Sequence, residues 1–325
     1  MPRQARLDAP GTLHHVMIRG IEGITIFRDD DDRKDFLFRV GNLAEKTKTR
    51  ILAWALLDNH VHLLLFSGPK GISTFMRRLL TGYSIRFNRR HRRSGHLFQN
   101  RYKSIVCEQE PYLLELVRYI HLNPLRATIV KDLGGLDRFL WSGHSVLMGN
   151  RETPWQEKDY VLGLFGRKRS QAIRAYRKFV EGGIAQGRHP ELIGGGLIRS
   201  MGGWSRVLSL RKTGEKAEND ARVLGGSDFV ASILLEAEKT VKRQIRNPRD
   251  KKGIEAIIKK NCKDGRISEK ELKAGGKRRE VTKVRGEIAC RLSRDFGLTM
   301  AEIARELGVG ASAIGMMLER MEAKK

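Results

Sequence analysis

The sequence predicts an α+β fold, a ferredoxin-like antiparallel sheet with helices packed on one face, followed by a mainly helical region and a C-terminal helix-turn-helix. Three observations carry this. Short apolar runs alternate with helical stretches in the order β-α-β-β-α-β-α over the first 125 or so residues. Two of the runs are joined by only two residues, Asp58-Asn59, which is hairpin spacing. The last fifty residues hold two short helical stretches across a glycine-containing turn.

Thr12–Arg19 reads as the first strand. Asp29 begins a helix through Glu45, its first turn filled with acids that complement the helix dipole. Ile51–Leu57 is an unbroken apolar run, expected to be a central strand because both its faces must be covered. His60–Phe66 returns beside it. Gly71–Arg90 is helical, Arg101–Glu108 forms the fourth strand, and Pro111 opens a helix that closes near Asn123-Pro124, since proline restricts the residue before it.

Gly149–Trp155 marks a boundary. Beyond it Ser170–Glu181 is helical, Gly194-Gly195-Gly196 and Gly202-Gly203 read as loops, and the Lys-rich stretch Lys251–Arg279 includes a linker. Glycine loops can cradle phosphate, but no GxxxxGK[ST] pattern is present. Val281–Phe296, Thr299–Leu307 and Ser312–Met321 are helical, with Gly308-Val309-Gly310 as the turn and Thr299 and Glu302 spaced as a capping box. The expected domains are 1–147, 148–275 and 276–325.

Composition bounds the function. The 325 residues hold 63 Lys and Arg against 37 acids, a net charge of +26. A 40% hydrophobic content supports a packed core. The longest apolar run, Ile51–Leu57, is far short of the roughly 20 residues of a membrane span. Cys107, Cys262 and Cys290 lack disulfide or CxxC spacing, as expected of a reducing compartment, so a cytoplasmic, nucleoid-associated protein is anticipated.

The positive charge points to a polyanion, above all nucleic acid. No carboxylate lies between Asp58 and Glu108, where Arg77, Arg78, Arg86, Arg89, Arg90, Arg92, Arg93, Arg101 and Lys103 are candidate phosphate contacts. Phe75, Tyr83, Phe87, Phe98 and Tyr102 are interleaved with them, and aromatic faces can stack on unpaired bases.

His60 and His62 are two residues apart on a strand, so both imidazoles leave the same face, and such a pair can hold one divalent metal. On the helix from Pro111, Leu113, Leu116, Val117 and Ile120 form a core stripe, and Tyr119 and Asn123 lie at its edge one turn apart. Taken alone, Tyr119 is more often a packed interfacial tyrosine than a nucleophile, and Asn123 reads as a helix-end residue.

Together, Asn59-His60-Val61-His62-Leu63, the run from Phe87-Asn88-Arg89-Arg90-His91 through Ser94-Gly95-His96-Leu97-Phe98-Gln99-Asn100-Arg101-Tyr102-Lys103, and Tyr119-Ile120-His121-Leu122-Asn123-Pro124 resemble the single-tyrosine HUH transposases, in which U is a hydrophobic residue. The branch most similar is that of the REP-associated tyrosine transposases. The resemblance covers roughly residues 1–147 and implies that Tyr119 is the nucleophile, that His60 and His62 hold a divalent metal, Mg²⁺ or Mn²⁺, and that Asn123 stands where relatives place a further polar ligand. It also implies a single-stranded or hairpin DNA substrate, cut and rejoined through a 5′-phosphotyrosine. His14, His15 and His121 are expected to be structural or DNA-contacting. The C-terminal unit resembles the DNA-binding domain of bacterial replication initiators, which implies duplex DNA, but Val309-Gly310-Ala311-Ser312 lacks that family's charged and histidine-bearing signature. A non-catalytic DNA-binding regulator on the same scaffold is the alternative, and an RNA-structure-binding protein a third reading.

Overall fold

The computed structural model describes residues 7–69, 71–187, 192, 220, 222–246, 251–276, 278–296 and 298–322. The chain forms two compact units: Met1–Leu79 with Gly95–Thr240, and Leu80–Ser94 with Val241–Lys325.

The first unit is built on strands β1 (Leu13–Arg19), β2 (Arg50–Leu57), β3 (His60–Phe66), β4 (Lys103–Cys107) and β5 (Val223–Leu224), in the spatial order β2-β3-β1-β4-β5. The first four pair antiparallel, and β5 adds a short parallel edge. Helices α1 (Asp30–Thr47) and α2 (Ile72–Arg90) make the two crossovers of a ferredoxin-like βαββαβ arrangement. The acids read as a helix start do cap α1: the Asp29 carboxylate accepts from the Asp32 backbone N–H at 3.0 Å.

The expectation that Ile51–Leu57 is a central strand is corrected: β2 lies at the sheet edge. Its apolar run has another cause. Both faces are covered, and its outer edge is met by chain from farther on, with the Leu56 N–H donating to Trp141 O at 2.8 Å and the Glu157 N–H to Ile51 O at 2.8 Å. The Trp54 indole N–H donates to Gln156 Oε1 at 2.8 Å in the same covering. An edge so occupied needs no charged residues to guard it.

Helices lie against both faces rather than one. On one side Trp54 and its cross-strand neighbour Leu63 share a face, Trp54 meets Trp155 at 5.6 Å between ring centroids, and Gly41 lets α1 come down onto Trp155 where any Cβ would collide. On the other side Leu13, Ala55, Leu64, Phe66 and Ile105 form one core with the stripe Leu113, Leu116, Val117 and Ile120 of α3 (Gln109–His121). That core continues through α4 (Asn123–Arg126), α5 (Leu133–Arg138), α6 (Gly143–Leu147), α7 (Lys158–Gly163) and α8 (Arg169–Gly182), by way of Leu136, Leu147, Val161, Tyr176 and Val180. At the opposite edge Val230 and Ile233 of α9 (Ser227–Arg246) bury Val106 and Val223.

The second unit contains the end of α2, α10 (Lys251–Asp264), α11 (Glu269–Lys273), α12 (Arg279–Asp295), α13 (Met300–Leu307) and α14 (Ala311–Glu322). The stretch read as a Lys-rich linker is therefore helical, because Ile254, Ile258 and Cys262 recur at four-residue spacing and bury one face. Arg285 is 2% exposed, and its guanidinium donates to Leu272 O and Gly276 O. The capping box of Thr299 and Glu302 is present, and Gly308 turns the chain at φ 66°. The glycine loops at 194–196 and 202–203 lie outside the described residues.

Candidate active site

Strand register assembles the site. His62 stands opposite Met17 of β1 and Ala55 of β2, and His60 opposite Arg19, so His15, His60 and His62 leave the sheet on the face that receives α3. The amphipathic stripe of α3 sets its rotation, and Tyr119 comes down over the histidines. Ring centroids are 5.2 Å apart for His60 and His62, 5.9 Å for His62 and Tyr119, and 5.8 Å for His15 and Tyr119. The two histidines and the tyrosine, separated by more than fifty residues in sequence, thus come together. Tyr119 is 6% exposed and His62 5%, whereas His60 is half-buried.

Asn123 sits one turn beyond Tyr119, at the start of α4. Its Nδ2 donates to Tyr119 O at 2.9 Å and to Ile120 O at 3.4 Å. Those bonds fix the amide's orientation and leave Oδ1 as the atom offered outward. The Arg126 guanidinium carbon lies 5.3 Å from the centre of the Tyr119 ring, a contact sequence reasoning did not anticipate.

His15, which the sequence reading treated as structural or DNA-contacting, touches the site directly: its Nε2 is 3.0 Å from His62 Nδ1, and its Nδ1 is 3.1 Å from Leu192 O. Strand alternation placed it on the correct face, but only the β1–β3 register brings it to His62. His60 Nδ1 lies 2.6 Å from Asn59 Oδ1, and Asn59 Nδ2 donates to Gly23 O at 3.2 Å. Burial lowers the pKa of His15 to about 4. Burial also holds His62 well below the usual imidazole value, with His15 and His60 adding to the effect, and it lowers His60, with Arg19 adding. All three rings are neutral at pH 7, the form in which a ring nitrogen can donate a lone pair to a metal.

Two neutral imidazoles on one face are donors of the kind a divalent cation takes, and a phenol lies beside them.

His121 and His14 do not join this group. His121 Nδ1 meets the Tyr176 hydroxyl at 2.8 Å, and that hydroxyl meets His144 Nδ1 at 2.6 Å. His144 Nε2 in turn lies 2.8 Å from Asp137, whose other oxygen accepts from Arg177 at 2.9 Å. Burial keeps His144 neutral, so its Nε2–H donates to Asp137, the Tyr176 hydroxyl donates to His144, and His121 Nδ1–H donates to the hydroxyl. This chain fastens the end of α3 to α5, α6 and α8. His14 bonds Thr12 at 2.8 Å and Ser104 at 2.9 Å.

The candidate phosphate contacts divide between the units. Arg77 and Arg78 are half-buried on α2, and Arg101 and the β4 residue Lys103 are exposed in the same unit. Arg86, Arg89, Arg90 and Arg92 are exposed and Arg93 half-buried in the other unit, where the Arg93 guanidinium donates to Asn88 Oδ1 at 3.2 Å.

The order of strands, the histidine pair and the facing tyrosine fall within a stretch that a family model recognises. Residues 11–123 match the family described as "Transposase IS200 like". This part of the chain is similar to the IS200-like transposases. A solved structure of a REP-associated tyrosine transposase bound to a REP hairpin is similar at 14% sequence identity, covering 48% of this chain and 98% of that one, with a TM-score of 0.38. No curated protein matches the chain. The match of the transposase domain ends at Asn123, so it spans β1 to the start of α4 and includes His60, His62 and Tyr119.

Proposed function

We propose that this protein is a DNA transposase that cleaves and rejoins single-stranded or hairpin DNA through a covalent 5′-phosphotyrosine. The observation that carries the reading is the placement of Tyr119 over His60 and His62 within the IS200-like domain. In this reading the Tyr119 oxygen attacks a backbone phosphorus, the bond to the 3′ oxygen breaks, and the phenol's proton is balanced by the new 3′-hydroxyl. The phosphotyrosyl bond conserves the energy of the one broken, so a second 3′-hydroxyl can attack and rejoin strands without ATP, in keeping with a sequence that lacks a Walker pattern.

His60 Nε2, His62 Nε2 and Asn123 Oδ1 are the atoms that would hold Mg²⁺ or Mn²⁺. When bound, such an ion supplies Lewis acidity at a non-bridging phosphate oxygen. The protein's own residues do the rest. The α3 stripe orients Tyr119, the buried sheet face limits water, and the exposed Arg86, Arg89, Arg90, Arg92, Arg101 and Lys103 supply cations for the DNA backbone. Duplex DNA is a second partner in this reading, through α13 and α14. The exposed residues described on α14 are Ala311, Ser312 and Met316, which lack the forked donors and acceptors that read base edges.

The deciding experiment mixes the protein with end-labelled hairpin and single-stranded DNAs, with and without Mg²⁺ or Mn²⁺, and resolves the products under denaturing conditions. A metal-dependent protein–DNA adduct that Tyr119→Phe cannot form is expected. Retarded but uncut DNA across a panel that includes the target would replace this reading with the non-catalytic regulator.

A further inference from the structure

We propose that Asn59 and His15 are positioning residues that fix His60 and His62 in the Nδ1–H tautomer, so that both Nε2 lone pairs are presented to one divalent cation. This rests on the metal site proposed above and deepens it.

The assignment follows from which atoms can only accept. The Asn59 amide donates through Nδ2 to the Gly23 carbonyl, so the atom it turns to His60 is Oδ1. An amide oxygen cannot donate; the proton in the 2.6 Å contact therefore belongs to His60 Nδ1, and His60 Nε2 is bare. At His62 the same logic runs through two rings. The Leu192 carbonyl only accepts, so His15 Nδ1 carries its proton. His15 is fully buried and neutral, which leaves its Nε2 as a lone pair. The 3.0 Å contact must then be His62 Nδ1–H donating to His15 Nε2, and His62 Nε2 is bare as well. Each ligand is thus held by a separate chain that ends on a main-chain carbonyl. One ends in the turn after β1. The other ends at Leu192, well past the family match that closes at residue 123. Outer partners of metal-bound histidines fix tautomer and ring orientation in this manner.

The test uses the full chain, metal-free and with ¹⁵N-labelled histidine, and reads tautomers from long-range ¹H–¹⁵N correlations. Mn²⁺ binding is measured in parallel by calorimetry. Wild type is expected to show His60 and His62 protonated at Nδ1. His15→Leu is expected to release His62 from that form and weaken Mn²⁺ binding by roughly 10- to 100-fold. His15→Gln, which keeps an acceptor oxygen at the end of the side chain, should recover most of the affinity. Asn59→Ala should do to His60 what His15→Leu does to His62. Because Asn59 is half-exposed, this variant decides the matter if His15→Leu does not fold. An Nε2–H tautomer at either ligand in wild type would overturn the proposal, as would His15→Leu and Asn59→Ala that leave tautomers and Mn²⁺ affinity within twofold of wild type. Failure of wild type to bind Mn²⁺ would sink the metal reading itself, whereas the tautomers of the metal-free protein judge this inference independently.

Discussion

At the scale of single residues, the proposed function assigns chemistry to Tyr119 and positioning to the groups around it. Tyr119→Phe removes one oxygen and keeps the ring against His62, His15 and Arg126. It should abolish the covalent adduct while DNA binding stays within about threefold, as read by band shift; strand cleavage surviving in this variant would refute the nucleophile. Gly143 shows the opposite kind of constraint. A Cβ there would sit 2.9 Å from His121 Nε2 and from both terminal atoms of Gln156, the residue that also receives the Trp54 indole. Gly143→Ala should cost about 1–3 kcal/mol in urea unfolding, as overpacking of a filled core does. That His60 and His62 share a face, and that Tyr119 edges the α3 stripe, was legible from period two on a strand and 100° on a helix, whereas grouping the three came from the family resemblance. His15, Arg126 and the His121–Tyr176–His144–Asp137 chain were not, because each depends on which elements become neighbours, and residue periodicity is silent on that.

At the scale of elements, the strand and helix order could be read because each stretch carries its own period and its own stop signals. Where the reading erred, tertiary context had replaced local logic. The apolar run of β2 was correctly seen as covered on both faces, but cover on the outer edge comes from residues 141–157, whose own sequence shows no strand pattern. The Lys-rich stretch from Lys251 reads as linker by composition, yet an isoleucine-and-cysteine stripe makes it a helix. Local signals did suffice at α13, where Thr299 accepts from the Glu302 N–H at 3.3 Å and the Glu302 carboxylate accepts from the Thr299 N–H at 2.8 Å. Thr299→Ala should destabilise the second unit by about 1 kcal/mol, measurable as faster amide exchange in α13 and α14.

At the scale of the whole molecule, five histidines among the described residues are buried in neutral form, and this sets a pH limit. Burial lowers His14 and His15 to about 4, holds His62 and His121 well below the ordinary value, and lowers His144. Above pH 6.5 folded and unfolded chains carry these rings uncharged alike. Below 6.5 the unfolded chain binds protons that the folded one refuses, so stability is lost progressively as pH falls towards 4. Thermal melts should be level from pH 8 to 7 and drop steadily from 6.5 to 4.5; a flat profile across that lower range would mean the rings are less isolated from water than their packing indicates. The covering of β2 has a consequence for anyone trimming this chain. The motifs end near residue 123 and the sequence boundary suggests a cut at Leu147, but such a cut discards Gln156 and Glu157 and leaves Ile51 and Trp54 without the groups they bond. What is left would carry a bare apolar ribbon along one side, ready to zip onto its own kind. A version stopped at residue 147 should therefore elute from a sizing column as polymer where the full chain does not.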